Sequence, residues 1–273
     1  MRLSRLALWG WLTWLAYGPL NTAQAGPESL TLVGETFVTA VVDGDTLVID
    51  PPINGADQIR LVGLQAPKLP LGRPGFTPWP LGADSKQALE DLVLNKAIRL
   101  YQGGQGMDRH GRLLAHLVRQ ADGLWVQAAL LEAGMARVYS FPDNRALVVD
   151  MLAVERGARS ARRGIWADPF YAVRQALDLP SDKGAVDGFH LVEGRILDVV
   201  EVKGHVYLNF ERDWRRDFTI RIEKKTVKNL REEGVDPLAW KGARVRVRGW
   251  LTFRNGPEIR LTHPEQLEVL ALP

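Results

Sequence analysis

Three short runs hold the residues most able to do chemistry. In "VVDGDTLVI" (residues 41–49), Asp43 and Asp45 flank a glycine between two β-rich segments. In "IRLVGLQAPKLP" (59–70), Arg60 sits among apolar neighbours, and Gln65, Ala66, Pro67 and Lys68 close the run. In "DRHGR" (108–112), Arg112 follows a His-Gly turn at the start of an apolar segment. An arginine inside an apolar run needs an anion. For Arg60 two partners are open: a ligand's phosphate, or a carboxylate of this chain such as Asp43 or Asp45. Guanidiniums grip phosphate bidentately, so either arginine suits an anion, although Asp-Arg-His-Gly-Arg equally fits a solvated loop. Five scattered histidines and the absence of cysteine exclude the usual zinc spacings. No nucleotide-binding glycine loop and no serine-histidine-acid order is present.

A second candidate surface lies towards the C-terminus. In "RVRVRGW" (244–250) valines alternate with Arg244, Arg246 and Arg248, which predicts one apolar face and one row of guanidiniums. In "NFERDWRRDF" (209–218) Trp214, Arg215 and Arg216 occupy a connection beside Phe210 and Phe218. Aromatic rings for bases beside arginines for phosphates suit single-strand binding. Glu211, Asp213 and Asp217 offset part of that charge.

The elements that must position these residues are mostly strands. In the first half, alternation predicts two strands around Asp43-Gly44-Asp45 within 35–50, further strands at 58–67, 97–102 and 113–119 and an extended 136–141, with helices around 83–95, 125–134 and 144–164. This is an α+β layout, mainly β. The second half reads as three strands (190–202, 205–210, 217–223), a helix (226–234) and two more strands (243–253, 258–263). That order matches a second, five-stranded OB-like barrel, the oligonucleotide/oligosaccharide-binding type. Residues 168–188, rich in Pro, Ser, Asp, Lys and Gly, read as a linker.

Residues 1–25 have two arginines, an apolar segment broken by Gly18-Pro19 and the ending "AQA", the layout of a secretory signal peptide. Its apolar part is shorter than a spanning helix needs, so no transmembrane segment is expected after cleavage and the protein is expected to be periplasmic or secreted. The domains expected are therefore 1–25 (signal peptide), 26–167, the linker 168–188, and 189–273. The whole chain has 35 basic and 32 acidic residues; without Arg2 and Arg5 it is nearly neutral, so global charge names no partner.

Taken in order, "VVDGDTLVI", "IRLVGLQAPK", "DRHGRLLAHL", "AALLEAGMARVYSF" and "ARRGIWADP" resemble the staphylococcal nuclease (thermonuclease) family over residues 35–168. The resemblance implies an OB barrel with three helices and calcium-dependent cleavage of DNA and RNA phosphodiesters. It places the family's first metal-binding aspartate on Asp45 and its two phosphate-clamping arginines on Arg60 and Arg112. It also places the second metal-binding aspartate on Gln65, the threonine whose carbonyl faces the metal on Ala66, and the catalytic glutamate on Lys68. Calcium takes hard, preferably anionic oxygens. A lysine about 7 Å from that divalent ion repels it by roughly 1 kcal/mol in water and about 5 kcal/mol at an effective dielectric near 20.

The reading that follows is an exported, thermonuclease-like protein that binds nucleic acid or another polyanion through Arg60, Lys68 and Arg112. Hydrolysis is expected to be weak or lost and no cofactor required, with Ca²⁺ at Asp45 and Gln65 only if the site is active. Two alternatives stand beside it: an active exported nuclease with a rearranged site, and an envelope interaction protein that binds protein or glycan.

Overall fold

A computed structural model describes residues 26–180, 188–213 and 216–273. The signal-peptide expectation and the expectations for Trp214 and Arg215 lie outside the described residues.

The first unit is a closed barrel of β1 (Thr31–Asp43), β2 (Thr46–Ile53), β3 (Ala56–Leu61), β5 (Ala97–Gln102) and β6 (Leu113–Arg119). Their order is β1-β2-β3-β6-β5. β3 and β6 run parallel, with Arg60 opposite Leu114. In β3 the alternation is strict: Ile59 and Leu61 enter the core, while Arg60 points to the outer face. The strand therefore carries a cation without burying it among its apolar neighbours. A two-residue strand, β4 (Leu64–Gln65), pairs with β7 (Arg137–Val138) to form a small ribbon beside the barrel. The extended segment expected at 136–141 is strand only at those two residues. α1 (Gly82–Val93), α2 (Val126–Glu132) and α3 (Val148–Ser160) pack around this ribbon and the barrel.

The chain between the two units is more ordered than its composition predicts. Tyr171 Oη donates to the Pro80 carbonyl at 2.7 Å. β8 (Arg174–Gln175) pairs parallel with β9 (Phe189–Arg195). Ala176 and Leu179 join the second hydrophobic core. Isolated apolar residues suffice when a neighbouring core receives them, and periodicity does not register them.

The second unit is a curled sheet of β9, β10 (Asp198–Val202), β11 (His205–Asn209), β12 (Thr219–Ile222), β13 (Arg244–Phe253) and β14 (Pro257–Leu261). Their order is β10-β11-β12-β14-β13-β9, with β12 and β14 parallel. α4 (Lys224–Glu232) follows β12, as α1 follows β4 in the first unit. The single strand expected at 190–202 divides at Ile196-Leu197. Ile196 N–H donates to Ala243 O at 2.9 Å, and the next residue, Leu197, donates to Asn209 O at 2.8 Å. One strand thereby serves two partners and curls the sheet. β15 (Leu267–Ala271), not expected from sequence, pairs with β13. The two units have separate hydrophobic cores, and both have the connectivity of OB-like barrels.

The barrels meet through a polar joint. Arg248 of β13 is 1% exposed and forms two 3.0 Å bonds to Glu155 of α3, which is fully buried. Arg145 holds Glu265 at 2.7 Å, and Ser140 Oγ lies 2.7 Å from His263 Nε2.

Candidate functional site

The turn between β1 and β2 sets the site. At Gly44 a Cβ would lie 2.0 Å from Ser85 Oγ and 2.7 Å from Ala66 Cβ, so glycine lets the turn press onto α1 and the end of β4. Asp45 is thereby sealed against Ala66 and is fully buried. Its Oδ2 accepts from Ala66 N–H at 2.9 Å and from Lys68 Nζ at 2.7 Å, and forms an ion pair with Arg60 Nη2 at 3.1 Å. Its Oδ1 accepts from Thr46 Oγ1 at 3.3 Å. Arg60 also donates to the carbonyls of Leu61 (2.8 Å) and Leu64 (2.9 Å). The carboxylate option foreseen for Arg60 is thus realised through Asp45.

Electrostatics follow from this packing. Burial alone raises the Asp45 carboxyl, but the charges of Arg60 and Lys68 outweigh it and hold the pKa down at about 2. Asp43, also buried, accepts the Asp45 N–H at 3.1 Å. Burial, and then the neighbouring Asp45 charge, push its pKa up. Lys68 is the member nearest solvent, its side chain 23% exposed against 14% for Arg60. An ammonium has three donors, and Asp45 takes one of them.

Gln65 faces the other way. Its Oε1 accepts two bonds from Arg137, at 3.0 and 2.7 Å, and both side chains are buried. Arg137 stacks 4.7 Å from the Phe189 ring and makes no ion pair with a carboxylate among the described residues. Burial lowers its pKa to about 10, which leaves it a cation at neutral pH.

Arg112 is not in contact with this group. It pairs with Asp108 at 2.6 Å, and Asp108 Oδ1 also accepts from the backbone N–H groups of His110 and Arg112. The β3–β6 register puts Arg112 on the outer face that Arg60 shares, two residues before Leu114, or about 7 Å along the strand. Asp45, Arg60 and Lys68 converge; Arg112 stands at the margin, held by its own loop.

The donor set does not fit a calcium ion. Asp45 Oδ2 already carries two hydrogen bonds and the Arg60 ion pair, and Arg137 occupies the Gln65 oxygen. Lys68 adds a positive charge in contact with that Asp45 oxygen. No group of three Asp, Glu, His or Cys residues suited to a metal occurs among the described residues. What this arrangement suits is an anion entering beside Lys68.

The guanidinium row expected on β13 is not a uniform exposed face. Arg244 is exposed and holds Glu193 at 3.0 Å. Arg246 is clasped by Glu193 and reaches Glu268 at 3.5 Å, and Arg248 is buried in the joint. The register explains this: Glu193 of β9 and Glu268 of β15 lie directly across from Arg246 on either side. Arg216 is exposed. The sequence reasoning also passed over Glu155. Its position at the helical interval after Val148, Met151 and Leu152, all buried, puts a carboxylate on the apolar stripe of α3, a pattern that calls for a cation, supplied by Arg159 of the same helix at 2.5 Å and by Arg248 of β13.

A barrel with this strand order, an Asp-Gly-Asp turn under an outward arginine, and flanking helices define a nuclease-type OB domain. The family model described as staphylococcal nuclease homologue matches residues 58–168. Protein ParB of Escherichia coli is 33% identical over 155 residues, covering 53% of this chain and 78% of that protein. The thermonuclease of Staphylococcus intermedius is 28% identical over 141 residues, covering 51% and 80%. The probable staphylococcal-like nuclease CAN1 of Oryza sativa is 32% identical over 110 residues, covering 40% of this chain and 29% of that protein. The chain belongs to the staphylococcal nuclease homologue family, and the family match ends before the second barrel begins.

Proposed function

We propose that this protein binds nucleic acid, or a polyanion of similar charge spacing, at the Arg60–Lys68 site, and that calcium-dependent phosphodiester hydrolysis there is weak or lost. The observation that carries the proposal is the Lys68 ammonium seated on Asp45 at 2.7 Å. It places a fixed positive charge where a metal would be needed, with donors left for a phosphate oxygen. Family membership supports nucleic acid as the polymer, since named relatives include thermonucleases and endonucleases. Arg112 joins the phosphate by exchanging Asp108 for it. The leader-like residues 1–25 support export as part of the same proposal.

The test is to incubate the purified protein with single- and double-stranded DNA and RNA, in calcium or in chelator, beside Lys68→Met and the double variant Gln65→Asp/Lys68→Glu. Binding by the wild type without calcium, weakened in Lys68→Met, is the expected result, with cutting confined to the double variant. Strong calcium-dependent cutting by the wild type would overturn the proposal in favour of an active nuclease. An absence of binding at low salt would favour a protein or glycan ligand.

A further inference from the structure

Between the barrels lies a cleft of about 470 Å³ lined by both, within the size range of small-molecule sites. Tyr139 and Phe141 come from the first unit; Phe189 and Trp250 come from the second. The Tyr139 ring meets Phe141 edge-on at 4.8 Å and Phe189 at 4.9 Å. Trp250 Nε1 donates to Tyr139 Oη at 2.9 Å, which fixes the indole across the joint. Phe141 is nevertheless 47% exposed and Trp250 49%. Two large rings left half in water at the mouth of a cleft mark a surface that awaits a ligand. Arg260 lies at the same mouth, its side chain 59% exposed and its nearest carboxylate oxygen, on Glu223, 3.7 Å away.

The occupant is indicated by the groups that the cleft leaves exposed at its mouth. Arg137, which holds Gln65 beside the anion site, packs against Phe189, and Phe189 packs against Tyr139. Arg137 and Phe189 are themselves buried and act as support, so the groups a ligand reaches are Phe141, Trp250 and Arg260. A ligand for exposed rings beside an exposed guanidinium has planar rings free to unstack with anions next to them, which describes a single-stranded nucleic acid and not a duplex.

We infer that the inter-barrel cleft takes an unstacked base of a single-stranded nucleic acid, with Trp250 of the second barrel as the stacking platform and Arg260 beside its phosphate. The inference rests on the Arg60–Lys68 site being a nucleic acid site, and it gives the second barrel, which lies outside the family match, a direct part in binding.

The test compares full-length wild type, Trp250→Ala, Trp250→Phe, Arg260→Gln and Lys68→Met for binding to a labelled single-stranded thymidine 12-mer and to a duplex of the same length. Loss of one stacked base predicts roughly tenfold weaker single-strand binding in Trp250→Ala. Trp250→Phe, which loses the bond to Tyr139 but keeps a ring, is expected to retain most of the affinity. Duplex binding is expected to be the same in wild type and Trp250→Ala. A 5-iodouracil oligonucleotide is expected to crosslink to the peptide holding Trp250 or Phe141. If Lys68→Met weakens binding while both Trp250 variants bind as wild type does, the cleft inference is overturned and the anion-site reading stands. If the wild type binds no oligonucleotide at low salt, both are overturned.

Discussion

Replacing Lys68 by methionine should strengthen calcium binding at Asp45 by about fifteenfold or more. Lys68 Nζ lies 2.7 Å from Asp45 Oδ2. A calcium ion on that oxygen stands about 2.3–2.6 Å from it, so ion and ammonium are at most about 5.3 Å apart. Their repulsion is then about 1.6 kcal/mol at the dielectric of water and about 6 kcal/mol at an effective value near 20. The smaller figure alone is a factor of about fifteen. Methionine keeps most of the side chain's length and removes the charge, so the loop after β4 is retained. The assay is isothermal titration with calcium chloride at neutral pH and low ionic strength, because salt screens charges over a Debye length of about 8–10 Å. Gln65→Asp/Lys68→Glu should bind tighter still, by adding anionic oxygens. Equal affinity in wild type and Lys68→Met would refute the reasoning, since it would mean that Lys68 does not sit on Asp45 in solution. So would micromolar binding by the wild type.

The joint and the site make further predictions. Removing Arg248 leaves buried Glu155 with Arg159 as its remaining cation, so the cost is at most about 3–5 kcal/mol, the figure for breaking one partner of a buried pair; Arg248→Ala should lower the melting temperature in calorimetry, whereas Arg248→Met/Glu155→Leu should recover part of the loss. Asp45 has its pKa drawn from 3.8 to about 2, so its charged contacts add stability above about pH 4 that is lost as pH falls towards 2. Urea midpoints measured from pH 5 to pH 2 should show that loss, and Asp45→Asn should lack it. Burial lowers His263 from 6.5 to about 4, which keeps the ring neutral against Ser140. The unfolded chain therefore takes up a proton before the folded one does, and stability falls as pH drops from 6.5 through 4. His263→Gln should flatten that part of the profile.

The first barrel was legible because each of its strands carries its own alternation, and because Arg60 lies out of phase with Ile59 and Leu61 in β3. The chemistry at Asp45 was legible for a different reason: an aspartate in an Asp-Gly-Asp turn and an arginine in the adjoining strand have few other partners. What sequence did not disclose depends on pairings across long separations. The valine and arginine alternation of β13 reads correctly as two faces, but Glu193 and Glu268 decide what the arginine face does, and they lie about 50 and 20 residues away. Gln65 looked like a ligand until Arg137, 72 residues on, took its oxygen. The break at Ile196-Leu197 was invisible because both halves of the strand have β-forming residues, and only the curl of the sheet divides them.

Glu155 bears on the ancestry of this architecture. Within the first barrel Glu155 already accepts the Val138 N–H at 2.6 Å and pairs with Arg159 at 2.5 Å, and Arg248 of the second barrel adds a further cation. Any recombination that exchanges the second barrel must bring in a cation at the place of Arg248 or leave Glu155 with Arg159 as its remaining ion-pair partner. The two halves are thereby tied to a shared inheritance: each restricts which replacements the other can accept, although each has a core of its own.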